Sequence, residues 1–156
     1  MVESASPRDK ASAIMSPRVV TIETSEKVEA ALHKMLKHKI GSIIAVEKGR
    51  AVGIITERDI SIKVAKGQRL QGLIVKDVMS KPLISIAPTM DVWDAVEKMV
   101  RNDIRRLPVV FDRKLIGMVT ERDILRWLLI TAYEPHIPPD LKKLLETRAH
   151  AQSPAH

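Results

Sequence analysis

Two short strings, Thr56-Glu-Arg-Asp59 and Thr120-Glu-Arg-Asp123, set a hydroxyl, a guanidinium and a carboxylate at the same spacing twice in a chain of 156 residues. The carboxylates of Asp59 and Asp123 can accept both hydroxyls of a ribose. The hydroxyls of Thr56 and Thr120, at strand-to-helix junctions, can donate to a phosphate that also faces the free N–H groups of a helix start. Arg58 and Arg122 can pair with a phosphate or with surface acids. Thr-x-x-Asp is also close to a capping box, in which the hydroxyl caps the helix and the acid reaches back to the threonine backbone. One carboxylate cannot serve both purposes fully, and the residues alone leave both open.

The elements that position these groups come from an internal repeat. Val52-Gly-Ile-Ile-Thr-Glu-Arg-Asp-Ile60 returns as Ile116-Gly-Met-Val-Thr-Glu-Arg-Asp-Ile124, an offset of 64 residues that also aligns Met15-Ser16 with Met79-Ser80 and Met35 with Met99. Val19, Val20 and Ile22, matched by Leu83, Ile84 and Ile86, predict a short strand. Val28, Ala31, Leu32 and Met35, matched by Val92, Ala95, Val96 and Met99, form the stripe of an amphipathic helix. Thr24 or Ser25 is the expected cap of the first helix and Thr89 of the second, with Glu26 and Asp91 favoured by the helix dipole. Ser42–Val46 and Leu107–Phe111 predict strands, Pro108 needing a place where its missing N–H does no harm. Lys48-Gly49-Arg50 and Asp112-Arg113-Lys114 turn them into further strands, each followed by a helix. The order in each copy is strand, helix, strand, strand, helix, an α/β class. The expected organisation is a flexible segment 1–9, a first repeat 10–72, a second repeat 73–130, and a tail 131–156 with a short helix over Asp140–Ala149.

The copies differ most where Lys37-His38-Lys39-Ile40-Gly41-Ser42 gives way to Arg101-Asn102-Asp103-Ile104-Arg105-Arg106. Arg105 and Arg106 stand where the first copy has almost no side chain, and guanidinium groups match phosphate oxygens in bidentate fashion. Surface solvation explains them equally well.

Composition narrows the function classes. Without cysteine there are no disulfides, thiolate metal sites or cysteine nucleophiles. His33, His38, His136, His150 and His156 form no spaced ligand cluster with acids, so no metal and no cofactor is expected. No apolar stretch reaches the roughly 20 residues of a membrane span, and residues 1–13 do not read as a signal peptide, which makes a cytoplasmic location the expectation. The net charge of +7 predicts anionic partners. Basic residues are spread along helices and turns, however, and aromatics are only 3% of the chain, so the stacking platforms of single-strand binders are not evident. Trp93 and Trp127 are candidate subunit contacts. Nothing pairs a nucleophile or base with an orienting neighbour, and an enzyme is not expected.

The two strings Gly53-Ile-Ile-Thr-Glu-Arg-Asp59 and Gly117-Met-Val-Thr-Glu-Arg-Asp123, with the openings Ile14-Met15-Ser-Pro17 and Val78-Met79-Ser-Lys-Pro82, closely resemble the CBS (cystathionine-beta-synthase) domain family over about residues 10–130. The resemblance implies two repeats packed as a pseudo-twofold pair, commonly dimeric, with inter-repeat clefts that bind AMP, ADP, ATP or S-adenosylmethionine in many members. It implies ribose binding by Asp59 and Asp123, phosphate contacts from Thr56, Thr120, Arg58, Arg122, Arg105 and Arg106, and an adenine slot near Val19, Val20, Ile22, Leu83, Ile84 and Ile86. The expected function is a ligand-sensing regulatory module, a homodimer signalling to a separate partner protein. The alternatives are an assembly module without ligand and a basic nucleic-acid-binding protein.

Overall fold

The computed structural model describes residues 9–133, 139, 140 and 143. Of the expected tail helix over 140–149 only Asp140 and Lys143 are described, both helical; the rest of it, the prolines 135 and 138, and His136, His150 and His156 lie outside the described residues, as do residues 1–8. The chain runs α1 (Ala11–Ile14), β1 (Thr21–Glu23), α2 (Val28–His38), β2 (Ser42–Glu47), β3 (Arg50–Thr56), α3 (Glu57–Ala65), α4 (Val75–Val78), α5 (Val92–Asn102), β4 (Arg106–Phe111), β5 (Lys114–Thr120) and α6 (Glu121–Tyr133). Two β-α-β-β-α-like repeats are thus present, the second with its opening strand reduced to a single bridge, each preceded by a four-residue helix.

The chain forms two compact units whose boundaries cut across the repeats. Among the described residues, one comprises Val19–Ile84 with Asp112–Leu115, the other residues 9–18, Ser85–Phe111 and residues 116–133. The opening of each repeat is therefore packed with the body of the other. In the unit built on Val19–Ile84, Val28 N–H donates to the Leu73 carbonyl at 3.0 Å, and the Ile54 and Ser80 backbones exchange both hydrogen bonds at 3.1 and 2.8 Å. In the other unit, Val92 N–H donates to Asp9 at 3.0 Å, and Ser16 and Met118 exchange both bonds at 2.9 Å. Every one of these pairs maps onto its counterpart at the same 64-residue offset.

These contacts correct the expected helix caps. The residue before α2 is Lys27 and the residue before α5 is Asp91, and neither makes a side-chain cap hydrogen bond. Thr24 is instead buried, its hydroxyl directed at Glu47 at 3.4 Å. The carbonyls of Leu73 and Asp9 answer the first N–H of each helix, a backbone solution to the unpaired-donor problem. At the other end, Lys39 and Asp103 adopt left-handed φ of 53° and 50°, and the following amides of Ile40 and Ile104 bond back to Met35 and Met99 at 3.0 Å, closing the helices as a Schellman turn does.

The buried positions repeat with the sequence. Ile22, Val28, Ala31, Met35, Ile43, Ile55 and Ile60 form the core of one unit with Val75 and Val78. Ile86, Val92, Ala95, Met99, Leu107, Val119 and Ile124, with Ala11, are the equivalent buried residues of the other. Each such branched side chain contributes about 1.5–3 kcal/mol when fully buried, so the low aromatic content leaves both cores well supplied.

In the first copy β1, β2 and β3 form a sheet in that order, β1 parallel to β2 and β2 antiparallel to β3. In the second copy β4 and β5 pair, but the strand expected over residues 83–86 is reduced to one parallel bridge, Ile86 with Val109. Prolines account for the difference. Ile44 N–H donates to Val20 and Thr24 N–H to Val46 in the first copy. Their equivalents are Pro108 and Pro88, which have no N–H to give. Only the bonds Ile86 N–H to Pro108 and Val110 N–H to Ile86, both 2.9 Å, remain. Both hairpins turn through two left-handed residues, Lys48 and Gly49 (φ 51° and 76°) and Asp112 and Arg113 (φ 47° and 62°), as a two-residue turn matched to strand twist requires.

Candidate functional site

Each Thr-x-x-Asp string lies where a strand ends and a helix begins, and both form complete hydrogen-bonded boxes. Thr56 N–H and Oγ1 both donate to Asp59 Oδ2, at 2.8 and 2.6 Å, and Asp59 N–H donates back to Thr56 Oγ1 at 3.1 Å. The second copy repeats this at 2.8, 2.7 and 3.3 Å between Thr120 and Asp123. The capping function therefore falls on one carboxylate oxygen alone. Since a carboxylate offers about four lone-pair positions on two oxygens, Oδ1 of each acid is left with acceptor capacity. The two readings of the string, cap and ligand acid, therefore do not compete for the same oxygen.

The threonine hydroxyls are less available. Each has a single hydrogen, and that hydrogen is given to the aspartate. Donation to a phosphate would require the cap to open.

The surroundings of Oδ1 differ between copies. Asp59 is half-buried, and its Oδ1 accepts from Ser80 Oγ at 3.0 Å. Asp123 is buried, 5% exposed, and its Oδ1 lies 3.8 Å from Arg126 Nη1 on the next turn of α6. Arg126 was not singled out from the sequence. Its signal was there in the aligned copies, where the equivalent residue is Ile62.

The glycine that opens each string keeps the junction closed on the other repeat's Met-Ser pair. A Cβ on Gly53 would stand 2.8 Å from both Met79 Sδ and the Ser80 carbonyl oxygen, and one on Gly117 would stand 2.6 Å from Met15 Sδ and 3.0 Å from the Ser16 oxygen. The 2.8 Å approach to the Ser80 backbone leaves no room for a side chain and the 3.0 Å approach to Ser16 leaves little, so the Gly-x-x-Thr-x-x-Asp spacing encodes a strand against which another backbone can lie, followed by a capped helix.

Of the remaining sequence-predicted residues, Arg58 and Arg122 are exposed on the first turns of α3 and α6, Arg106 is half-buried, and Arg105 is exposed with its Nε 4.0 Å from Glu121. Val19, Val20, Leu83 and Ile84 are half-buried, while Ile22 and Ile86 are buried, 1% and 4% exposed. Trp127 Nε1 donates to Asp9 Oδ2 at 2.6 Å and its ring meets Trp93 edge-on at 5.4 Å. Trp93 remains 56% exposed. Among the described residues no group of histidines and acids is arranged to hold a metal ion, and no helix is long and apolar enough to cross a membrane.

Two copies of this capped junction, each closed by a Met-Ser pair from the other repeat, coincide with the CBS domain family model, which matches residues 11–66 and 75–130. The chain belongs to the CBS domain family. That family is a regulatory, non-catalytic module. Among relatives, protein MK0525 of Methanopyrus kandleri is 46% identical over 111 residues, which is 69% of this chain and 57% of that protein. The CBS domain-containing protein YhcV of Bacillus subtilis is 34% identical over 110 residues, 70% of this chain and 79% of that one. Among solved structures, the CBS domain pair of protein MJ0100, in complex with 5′-methylthioadenosine and S-adenosyl-L-methionine, superposes with a TM-score of 0.72 at 28% identity, covering 78% of this chain and 97% of that one.

Proposed function

We propose that this CBS-domain chain is a sensor of adenosyl ligands, AMP, ADP or ATP or a related compound, held at its two Thr-x-x-Asp junctions. The observation that carries this reading is that Oδ2 of each carboxylate alone holds the helix cap, which leaves Oδ1 of Asp59 or Asp123 as the acceptor for ribose hydroxyls. The similarity to a CBS pair that carries two adenosyl compounds supports it. Val19, Val20, Leu83 and Ile84, being half-buried rather than core, are the side chains available to an adenine ring. Phosphate contacts fall to Arg58, Arg122, Arg105 and Arg106, since the Thr56 and Thr120 hydroxyl hydrogens are engaged.

The module works as a homodimer, with the exposed Trp93 ring at the subunit contact, and signals to a separate protein. Such signalling needs a ligand that binds two arrangements with unequal affinity. Calorimetric titration of ligand-stripped protein with AMP, ADP, ATP and S-adenosylmethionine at two salt concentrations tests the proposal. Saturable binding of at least one compound is expected. Absence of heat and of thermal stabilisation with all four sinks it in favour of an assembly module, and strongly salt-dependent binding of nucleic acid instead would move the chain to that class.

A further inference from the structure

The charge of the chain is not shared evenly by its two units. Residues 19–84 with 112–115 carry fourteen lysines and arginines against eight acids, whereas residues 9–18, 85–111 and 116–133 carry eight against seven. Part of the excess on the first unit gathers at the end of α2 and along α3. Lys37 lies in the last turn of α2 and Lys39 directly follows that helix. Arg58, Ile62 and Lys66 succeed one another at four-residue spacing, which sets them in one row on α3 and its C-terminal cap. Glu57 N–H donates to the Gly41 carbonyl at 3.1 Å, so the first turn of α3 adjoins the turn that ends α2. All four cations are exposed, and none makes an ion pair with another described residue. Two exposed aliphatic side chains accompany them, Leu36 at 75% and Ile62 at 42%.

The second copy builds the same helices without this charge. At the positions of His33 and Lys37 it has Glu97 and Arg101, and Arg101 Nε donates to Glu97 Oε1 at 2.7 Å. At the position of Lys39 it has Asp103 in the same left-handed conformation, φ 50° against 53°. Ile130 takes the place of Lys66, and Arg126, in the place of Ile62, lies largely buried beside Asp123. The fold thus forms equally well with acids among these residues. Like charge that stability does not require, and that self-repulsion opposes, points to a partner of opposite charge. A nucleic acid fits poorly. Residues 19–84 and 112–115 include no Phe, Trp or Tyr on which a base could stack, and a phosphate backbone offers nothing apolar to Leu36 and Ile62. Carboxylates interleaved with aliphatic side chains answer both the cations and the apolar residues. We propose that the end of α2 and the exposed row of α3 are the docking surface for an acidic segment of a partner protein, one that interleaves Glu or Asp with aliphatic side chains. The inference rests on the reading above that the chain signals to a separate protein, and it names the chemistry of that protein's contact.

The test uses the full chain and a fluorescein-labelled peptide of repeated Glu-Glu-Leu, with binding followed by fluorescence anisotropy at low and high salt. The variant His33→Glu/Lys39→Asp gives the first copy the residues of the second, and Arg58 is left untouched because the ligand reading uses it. The wild type binds the peptide saturably and more weakly as salt rises. The double variant binds it about tenfold more weakly at low salt, with its calorimetric response to AMP and S-adenosylmethionine unchanged. The reciprocal variant Glu97→His/Asp103→Lys gains affinity for the peptide. No saturable binding by the wild type, or equal affinity in the folded double variant, overturns the proposal and leaves the sensor reading standing. Peptide binding as expected without any response to adenosyl compounds sinks the sensor reading and leaves the docking surface standing. A duplex DNA bound more tightly than the peptide, and lost in the double variant, assigns the surface to nucleic acid instead. A wild-type dimer that the double variant converts to monomer in sedimentation assigns it to a second copy, which equally overturns the proposal. Should the double variant fail to fold, as circular dichroism would show, the reciprocal variant decides, and a missing gain in peptide affinity rejects the surface.

Discussion

Replacing Gly53 by alanine is expected to destabilise the chain more than any glycine change at a turn. The added methyl would lie 2.8 Å from Met79 Sδ and 2.8 Å from the Ser80 carbonyl oxygen. The sulfur can rotate away, but the carbonyl belongs to the backbone pair between Ile54 and Ser80, at 3.1 and 2.8 Å. Forcing a methyl into packed structure costs about 2 kcal/mol, and weakening that pair costs about 1 kcal/mol more. The reduced freedom of the unfolded chain returns about 0.5 kcal/mol. The net loss of about 2.5 kcal/mol corresponds to a Tm lowered by about 5–10 °C for a chain this long. Gly49→Ala is the control. Its φ of +76° strains any side chain, yet nothing lies within 4 Å, so only the left-handed penalty of about 1 kcal/mol applies. Thermal unfolding followed by circular dichroism compares the two, and a Gly53→Ala loss no greater than that of Gly49→Ala would refute the close-approach argument. Gly117→Ala should fall between them, since its carbonyl contact is longer, 3.0 Å, and its closest neighbour is the movable Met15 sulfur.

Asp123→Ala should cost about 3 kcal/mol, because it strands the buried Arg126 guanidinium as well as removing the cap. Asp59→Ala should cost about 1 kcal/mol for the cap; equal losses in chemical denaturation would contradict the difference between the junctions. Arg113→Gly should stabilise by about 0.5–1 kcal/mol, since Arg113 holds a φ of 62° that glycine adopts freely and Asp-Gly suits the turn; a lowered denaturation midpoint would count against it. Pro108→Ile restores the N–H present at Ile44, so hydrogen exchange should find the amide of residue 108 protected. An amide there exchanging as fast as a loop would show that the proline is not what shortens the parallel ladder.

The repeat, the element order and the hairpins follow from one gapless offset, because side chains that form a core must recur with the fold that buries them. What no periodicity reveals is which body an opening segment packs against. Ala11 and Val75 are apolar helix starts on any reading, and only tertiary structure shows each set with the other repeat's helix and strand. The expected caps at Thr24, Ser25 and Thr89 failed for the same reason: the carbonyls of Leu73 and Asp9, distant in sequence, already answer the helix N–H groups. Pro88 and Pro108 were visible, but their joint effect required the bonding pattern of the first copy as reference. At the junctions the spacing left a cap and a ligand acid both open, and it took atomic positions to place the cap on one oxygen. The most conspicuous difference between the copies in sequence lies at residues 101–106, whereas the buried one, Arg126 against Ile62, lies on the last helix of each copy.

The central claim is that Asp59 and Asp123 hold a ribose through Oδ1. Calorimetric titration of the wild type and of the Asp59→Asn/Asp123→Asn double variant with the tightest-binding adenosyl compound tests it most directly, with circular dichroism confirming the fold. The account predicts saturable binding by the wild type and a loss of about tenfold or more in the double variant, as removing a charged hydrogen-bond partner entails. Unchanged affinity in a folded double variant would contradict it.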